Sequence, residues 1–343
     1  MSAQAERRGL PVVVLTPEPQ RLDRIFAPAV RAELEQRFEV IDLEGAAWRL
    51  DEVISGAFAI VGQPDLYADR LERARDLRAL VNVEGNFYPN VDYQSCFDRG
   101  VYVLGCGPAY AAAVAEYSLG LALDLARGIS REDRAFRANR ERYVSEGNTD
   151  AVLLRNAAVG MVGFGNLGRA LLALLEPFRA KVRVYDPWLP ERALEELGVV
   201  PSTLPELLAF SRFVFVLATV TEESTGLLGP TELDLLPPGA RLVLVSRAPV
   251  VDFPALLDRV EAGRLLAAID VWPEEPVPPG DRARGMEGLV LSAHRAGGIP
   301  EAFYKIGEMV LDDLTLLARG LPPVRMQVAT RELAGRYRNR PVT

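Results

Sequence analysis

The chain of 343 residues is short of the groups that most often betray chemistry or compartment: one histidine, His294, and two cysteines, Cys96 and Cys106. Two cysteines with no C-x-x-C pair and no Cys/His cluster give neither a disulfide framework nor a zinc site, so a reducing cytoplasm and no metal are expected. No window approaches eighteen uninterrupted apolar residues, and the apolar run in MSAQAERRGLPVVVL is too short for a signal peptide, which argues against a membrane-spanning or exported chain. Positive charge is also in deficit. A net charge of -8 and a pI near 5.1 give no general attraction for nucleic acid or an anionic membrane. The locally basic RELAGRYRNR near the C-terminal end is read as a solvated, frayed segment. There is no internal repeat, and the one biased segment is the proline-rich VWPEEPVPPGDRARG.

What the chain does have is 49 % hydrophobic residues, enough at this length for two domains with separate cores. Short apolar runs alternate with helix-period segments: PVVVL from Pro11, FAIV from Phe58, ALVNV from Ala79, VYVL from Val101, AVGMV from Ala158, KVRVY from Lys181, FVFVL from Phe213, RLVLV from Arg241, AAIDV from Ala267 and LVL from Leu289. Continuous apolar runs of this kind belong to parallel strands covered on both faces, so the fold class is α/β. The alternation stops between Val101 and Ala158. There AYAAAVAEYSLGLALDLARGI predicts a long, alanine-rich helix that packs closely on a domain or a second subunit, and SREDRAFRANRERYVSEG predicts a charged one. A domain boundary is expected in this stretch and another after Leu291. IPEAFYKIGEMVLDDLTLLARG then predicts an amphipathic helix stopped by Gly320 and Pro322, with no strand after it.

In AVGMVGFGNLGRALLALL, Gly163, Gly165 and Gly168 have the spacing G-x-G-x-x-G behind an apolar strand. A helix opening at Asn166 and Leu167 would aim its first amides at a pyrophosphate, Gly165 would admit the phosphates, and Gly168 would let the helix lie on its strand. The next strand ends in Asp186, where a carboxylate accepts from ribose hydroxyls and repels a 2′-phosphate, which favours NAD (NADH) over NADP. A tight turn with incidental glycines, and an FAD or S-adenosylmethionine site, are the competing readings.

Ligands of open α/β sheets lie beyond the carboxyl ends of the strands, so polar residues just past apolar runs are the ones to inspect. RLVLV leads into Ser246 and Arg247, AAIDV carries Asp270 and is followed by Glu275, and LVL leads into His294. A guanidinium can hold a carboxylate and polarise an adjacent carbonyl. An imidazolium can protonate an alkoxide as hydride arrives, while a neighbouring carboxylate orients the ring and favours its charged form. Arg247 fits the first role, and His294 with Glu275 the second. Asp270 fits a place nearer the nicotinamide. Taken separately, each has a competing reading: Arg247 as a surface cation, Glu275 as a solvated loop acid, Asp270 as a helix or turn cap and His294 as a packed imidazole.

With these residues in place, the sequence resembles the D-isomer-specific 2-hydroxyacid dehydrogenases from about Val12 to Gly320. The resemblance is carried by VGMVGFGNLGRAL, VYDPW with Asp186, LVLVSRAPVVD with Arg247, AAIDVWPEEP with Asp270 and Glu275, and SAHRAGG with His294 and Gly297. It implies the Arg247, Glu275, His294 triad and two Rossmann-like or flavodoxin-like parallel-sheet domains. The nicotinamide domain (113–298, with a dimerisation arm at about 113–155) would be inserted into a discontinuous substrate domain (1–112 and 299–343). It also implies a homodimer. Where the family holds the substrate carboxylate with a glycine-rich turn, this chain reads VNVEGNFYPNVDY, so Asn86 and Phe87 put bulk beside the substrate and should reshape its pocket. Further departures are LATVT, which lacks the usual histidine and proline before Thr221, VLLRNAAVG before the nicotinamide domain's first strand, and Ala248-Pro249 after Arg247. A glutamate at 275 disfavours the formate dehydrogenase branch.

The expected function is interconversion of a 2-oxo acid, or a phosphonate or phosphorylated analogue, with its (R)-2-hydroxy acid by an NAD-dependent cytoplasmic enzyme. The alternative is a non-catalytic NAD(H)-sensing, corepressor-like scaffold of the same architecture.

Overall fold

The structure is a computed structural model and describes residues 9–338. It divides into two compact units, one running to Tyr110 and resuming at Gly298, the other covering Ala111–Gly297. Unit 1 is built on strands β1 (Val12–Thr16), β2 (Glu39–Asp42), β3 (Ala57–Gly62), β4 (Ala79–Asn82) and β5 (Tyr102–Gly105). These five are parallel in the order β2-β1-β3-β4-β5, a flavodoxin-like arrangement whose switch point lies between β1 and β3. Val13, Val14 and Leu15 have no exposed surface, and each such aliphatic side chain contributes roughly 1.5–3 kcal/mol on burial. The helix Pro300–Ala318 completes this core with Ile306, Met309, Val310, Leu311 and Leu314, a 3.6-period stripe.

Unit 2 is built on β6 (Ala158–Val162), β7 (Lys181–Tyr185), β8 (Val200–Pro201), β9 (Phe213–Val216), β10 (Ala240–Leu244), β11 (Leu265–Ile269) and β12 (Leu289–Leu291). All seven are parallel, in the order β12-β11-β10-β9-β6-β7-β8. This is the doubly wound dinucleotide-binding order, with its crevice where β6 and β9 lead away in opposite directions. The helix Gly107–Arg127 runs from one unit into the other. It buries Val114, Ala115, Ser118, Leu121, Ala122, Leu125 and Ala126 along one face, whereas Ala111, Ala112 and Ala113 are not buried.

Several expectations need correction. A strand does follow the last long helix: β13 (Gln327–Val328) pairs antiparallel with β5. It has only two residues, both exposed, so it leaves no apolar alternation to read. Its approach is fixed by Asp313, a buried acid whose carboxylate accepts from the backbone amides of Val324, Arg325 and Met326. The charged helix covers only Ile129–Arg137, because Asn139 and Val144 adopt positive φ and end the repeat. The basic tail is not simply frayed. Arg331–Ala334 is helical, and Tyr337 is buried with its ring centroid 5.2 Å from that of Phe87. Asn339 and Arg340, like the N-terminal MSAQAERR, lie outside the described residues.

Candidate active site

The glycine loop begins where β6 ends. Gly163 has φ +90°, and a β-carbon there would lie 2.7 Å from the backbone of Ala218, so both conformation and space demand glycine. The helix Asn166–Leu175 starts directly behind Gly165, with no side chain capping its first amides. A β-carbon at 165 would meet nothing within 4 Å, so the approach to that helix end is open. At 168 a β-carbon would press on the Phe164 ring at 2.9 Å, which explains the third glycine as the close helix-to-strand contact. Asn166 and Leu167 form the first turn, partly exposed. An open, uncapped helix end behind a bare loop fits the pyrophosphate of a dinucleotide.

Asp186 follows β7, and its carboxylate braces this loop. One oxygen accepts from the amide of Phe164 at 2.7 Å and the other from the amide of Trp188 at 3.0 Å. Each oxygen keeps a further lone pair, which is the capacity a ribose diol requires. Thr221 and Ser246, two further candidates for the cofactor side, follow β9 and β10. Thr221 is buried and its hydroxyl pairs with Ser224, forming the turn after β9. Ser246 is buried past β10 with no hydrogen-bond partner for its hydroxyl among the described residues.

Arg247, Glu275 and His294 all lie in unit 2 beyond the carboxyl ends of β10, β11 and β12. Glu275 Oε2 is 2.8 Å from His294 Nδ1, and Glu275 Oε1 accepts from the amide of Trp272 at 2.9 Å. Held on Nδ1, the ring has no partner at Nε2 among the described residues, and both side chains remain partly exposed. Burial pushes the Glu275 carboxyl up. The His294 bond, the Trp272 amide and the charges of His294 and Arg247 together outweigh it and hold the group below its ordinary value of 4.5. Arg247 therefore lies within electrostatic reach of the pair, its guanidinium donating 2.7 Å to the carbonyl of Ser246. Ala248 starts a short 3₁₀ turn without positive φ, and the carbonyls of Pro249 and Val250 accept from Gly226 and Leu228.

Asp270 is fully buried, and its carboxylate accepts from the Ser292 hydroxyl and from the amides of Arg295 and Ala296. Its own carbonyl takes the amide of His294 at 2.7 Å. It thus clamps the histidine loop, capping amides 25 and 26 residues away rather than those of its own turn. Gly297 ends that loop, partly exposed. Asn86 and Phe87 belong to unit 1. Phe87 turns its ring inward, about 3.3 Å from where a β-carbon on Gly105 would stand, while Asn86 is partly exposed. Sequence reasoning missed Tyr117, Trp272 and Ser292, which contact the site's acids directly or through one another. Tyr117 is hidden among alanines whose spacing announces only packing.

The sequence-family model described as "D-isomer specific 2-hydroxyacid dehydrogenase, NAD binding domain" matches residues 119–296. This chain belongs to the D-isomer specific 2-hydroxyacid dehydrogenase family. Among the curated members, a glyoxylate reductase of Thermococcus litoralis is 31 % identical over 69 % of this chain and 73 % of that protein. A D-3-phosphoglycerate dehydrogenase of Archaeoglobus fulgidus is 27 % identical over 78 % of this chain, and the match spans only 50 % of that longer protein. The crystal structure of a phosphoglycerate oxidoreductase from Rhizobium etli is 44 % identical, with a TM-score of 0.84 over 94 % of this chain and 99 % of that one. The D-mandelate dehydrogenase of Rhodotorula graminis, at 23 % identity and a TM-score of 0.78, shares the fold. The matched domain gives this family member a nicotinamide cofactor, and the glycine loop and Asp186 are the groups that would hold it. No helix among the described residues is long and apolar enough to cross a membrane, and no group of three His, Cys, Asp or Glu residues there is placed to hold a metal.

Proposed function

We propose that the protein is an NAD-dependent oxidoreductase that interconverts a 2-oxo acid and its (R)-2-hydroxy acid. The observation that carries this reading is the Glu275–His294 contact at 2.8 Å, with Nε2 left open and Arg247 close enough to lower the glutamate. The bound nicotinamide supplies the hydride for reduction and accepts it in oxidation. His294 delivers a proton from Nε2 to the carbonyl oxygen in reduction and removes the hydroxyl proton in the other direction. Glu275 fixes the ring and balances its positive charge. Arg247 pairs with the substrate carboxylate and draws electron density from the carbonyl.

Asp186 favours NADH, since a 2′-phosphate would meet its charge. Gly165, Asn166 and Leu167 face the pyrophosphate, and Gly163 and Gly168 allow the turn and the helix packing that present them. Ser246, Asp270, Gly297 and Thr221 are assigned to the nicotinamide side, with Asp270 and Thr221 acting through the loops they hold. Asn86 and Phe87 offer the substrate backbone amides, because the Phe87 ring is packed inward. Small 2-oxo acids, including phosphorylated ones, suit this reading, given relatives named for glyoxylate and phosphoglycerate. Within the arm Phe136 (62 %), Tyr143 (68 %), Val144 (82 %) and Leu153 (68 %) are exposed, and that much uncovered apolar surface supports burial against a second copy in a homodimer. Two free, buried cysteines suit a cytoplasmic protein.

The test mixes the protein with NADH, and in parallel NADPH, and a panel of 2-oxo acids running from glyoxylate to branched, aromatic, phosphorylated and phosphonate members. Turnover with NADH preferred is expected, and His294→Ala should lose about 10²- to 10⁴-fold in kcat with NADH affinity kept. Wild-type turnover in that variant sinks the assignment. Tight NADH binding without turnover of any panel member favours the sensing scaffold instead.

A further inference from the structure

One hydrogen-bonded chain in unit 2 leads to Asp270 through Tyr117 and Ser292, two residues to which no role has been assigned above. The Ser292 hydroxyl is 2.5 Å from a carboxylate oxygen of Asp270 and 2.7 Å from the phenol of Tyr117. A hydroxyl carries one hydrogen, and a carboxylate only accepts, so the serine donates to Asp270 and the phenol donates to the serine. The direction of the chain is therefore fixed: Tyr117 to Ser292 to Asp270.

Two routes lead from Ser292 to His294. Through Asp270, the chain reaches the amides of Arg295 and Ala296 and the His294 amide itself. Through its carbonyl, Ser292 accepts the Trp272 indole N–H at 2.7 Å, and the Trp272 amide holds Glu275 against the imidazole. The first route fixes the histidine backbone and the second its ring. Fixing is needed, because His294 has φ +51°, a conformation that a residue with a β-carbon leaves unless its surroundings impose it. The Tyr117 donor comes from the helix Gly107–Arg127, the one helix that continues from unit 1 into unit 2.

We propose that Tyr117 and Ser292 are positioning residues for His294, setting the imidazole in register with the helix that connects the units. This rests on the reading of His294 as the acid–base group. The loop is then shaped in part by a polar relay, and single-atom changes at Tyr117 or Ser292 should degrade proton transfer more than they weaken NADH binding.

The experiment uses tag-free full-length protein with ring-labelled histidine, so that its NMR spectrum contains one histidine signal. It compares Tyr117→Phe, Ser292→Ala, Ser292→Thr and the double variant Tyr117→Phe/Ser292→Ala, assayed with whichever 2-oxo acid the panel identifies. Ser292→Ala should lower kcat by about ten- to fifty-fold and Tyr117→Phe by about three- to five-fold, with KM and the NADH Kd within about twofold of wild type. Ser292→Thr, which keeps the hydroxyl, should recover most of the rate. The double variant should be no slower than Ser292→Ala alone, because the phenol acts only through the serine. In Ser292→Ala the ring signal should broaden or divide as the imidazole samples more than one orientation. A sharp, unshifted signal with wild-type kcat in Ser292→Ala overturns the proposal. So do multiplicative losses in the double variant, or a fall in NADH affinity that matches the fall in kcat. If Ser292→Ala does not fold, Tyr117→Phe and Ser292→Thr carry the same readings. Failure of the underlying assignment looks different: His294→Ala retains activity, whatever the ring signal does in the relay variants.

Discussion

At the carboxyl ends of β11 and β12, unit 2 carries Asp270, Glu275, Ser292 and His294, every one joined to another polar group, while the Ser246 hydroxyl past β10 is left open. At the same ends unit 1 carries Thr16 and Asn82. These lie in one row with Gly62 and Gly105 across β1, β3, β4 and β5, and they are buried with side-chain atoms that find no protein partner among the described residues. The two sheets are of the same parallel class, so topology does not account for the difference. A closed network fixes atoms to the few tenths of an ångström that proton transfer demands, whereas open polar atoms carry a free-energy penalty until water or a ligand reaches them. The contrast is between strand ends whose polar groups are tied to one another and strand ends whose polar atoms have no protein partner among the described residues.

The sharpest way to break the closed side is Asp270→Leu, which leaves two amides and a hydroxyl buried without an acceptor. Denaturant unfolding should show a loss of about 3–5 kcal/mol. A loss under about 1 kcal/mol would mean that the network is ornamental to the fold. A smaller effect comes from Glu275→Gln. Because the folded-state value of Glu275 lies below its ordinary 4.5, its stabilisation is fully present above pH 4.5 and is lost as pH falls through the lower folded value. Below pH 4.5 the gap in Tm between wild type and Glu275→Gln should therefore close as the pH falls. A gap that widens on acidification contradicts the sign. The smallest effect is expected on the open side. Asn82→Leu replaces an unsatisfied amide by an apolar group of similar size and should stabilise by about 1 kcal/mol. Destabilisation of that size would show ordered water or a ligand already closing unit 1, and the contrast between the units would fail.

Much of this was legible in the chain. The ten apolar runs are strands, because parallel strands covered on both faces cannot avoid being continuously apolar. The strands left unseen, β2, β8 and β13, run from two to four residues at or near sheet edges, with few buried side chains to impose a pattern. At the site, Arg247, Glu275 and His294 were visible because each follows a strand directly. Tyr117 was not, since a phenol reaching across to Ser292 from 175 residues away leaves no trace in local spacing. The clamp role of Asp270 was hidden for a similar reason: its partners are backbone amides, and any residue type supplies those. Phe87 was read as bulk for the pocket, but burial against Gly105 and Tyr337 depends on a tail far along the chain.

The interruption of unit 1 also sets an order of events during synthesis. Residues 111–297 form a contiguous stretch whose seven strands can pair as they emerge, with nothing owed to chain still inside the ribosome. The five parallel strands of unit 1 are made earlier, but the face that receives Ile306, Met309, Val310, Leu311 and Leu314 stays uncovered until the helix Pro300–Ala318 follows. The first-made part of the molecule is thus the last to be finished. For the whole time that unit 2 is being translated, a nascent chain of this protein presents an apolar sheet face of the kind that chaperones bind.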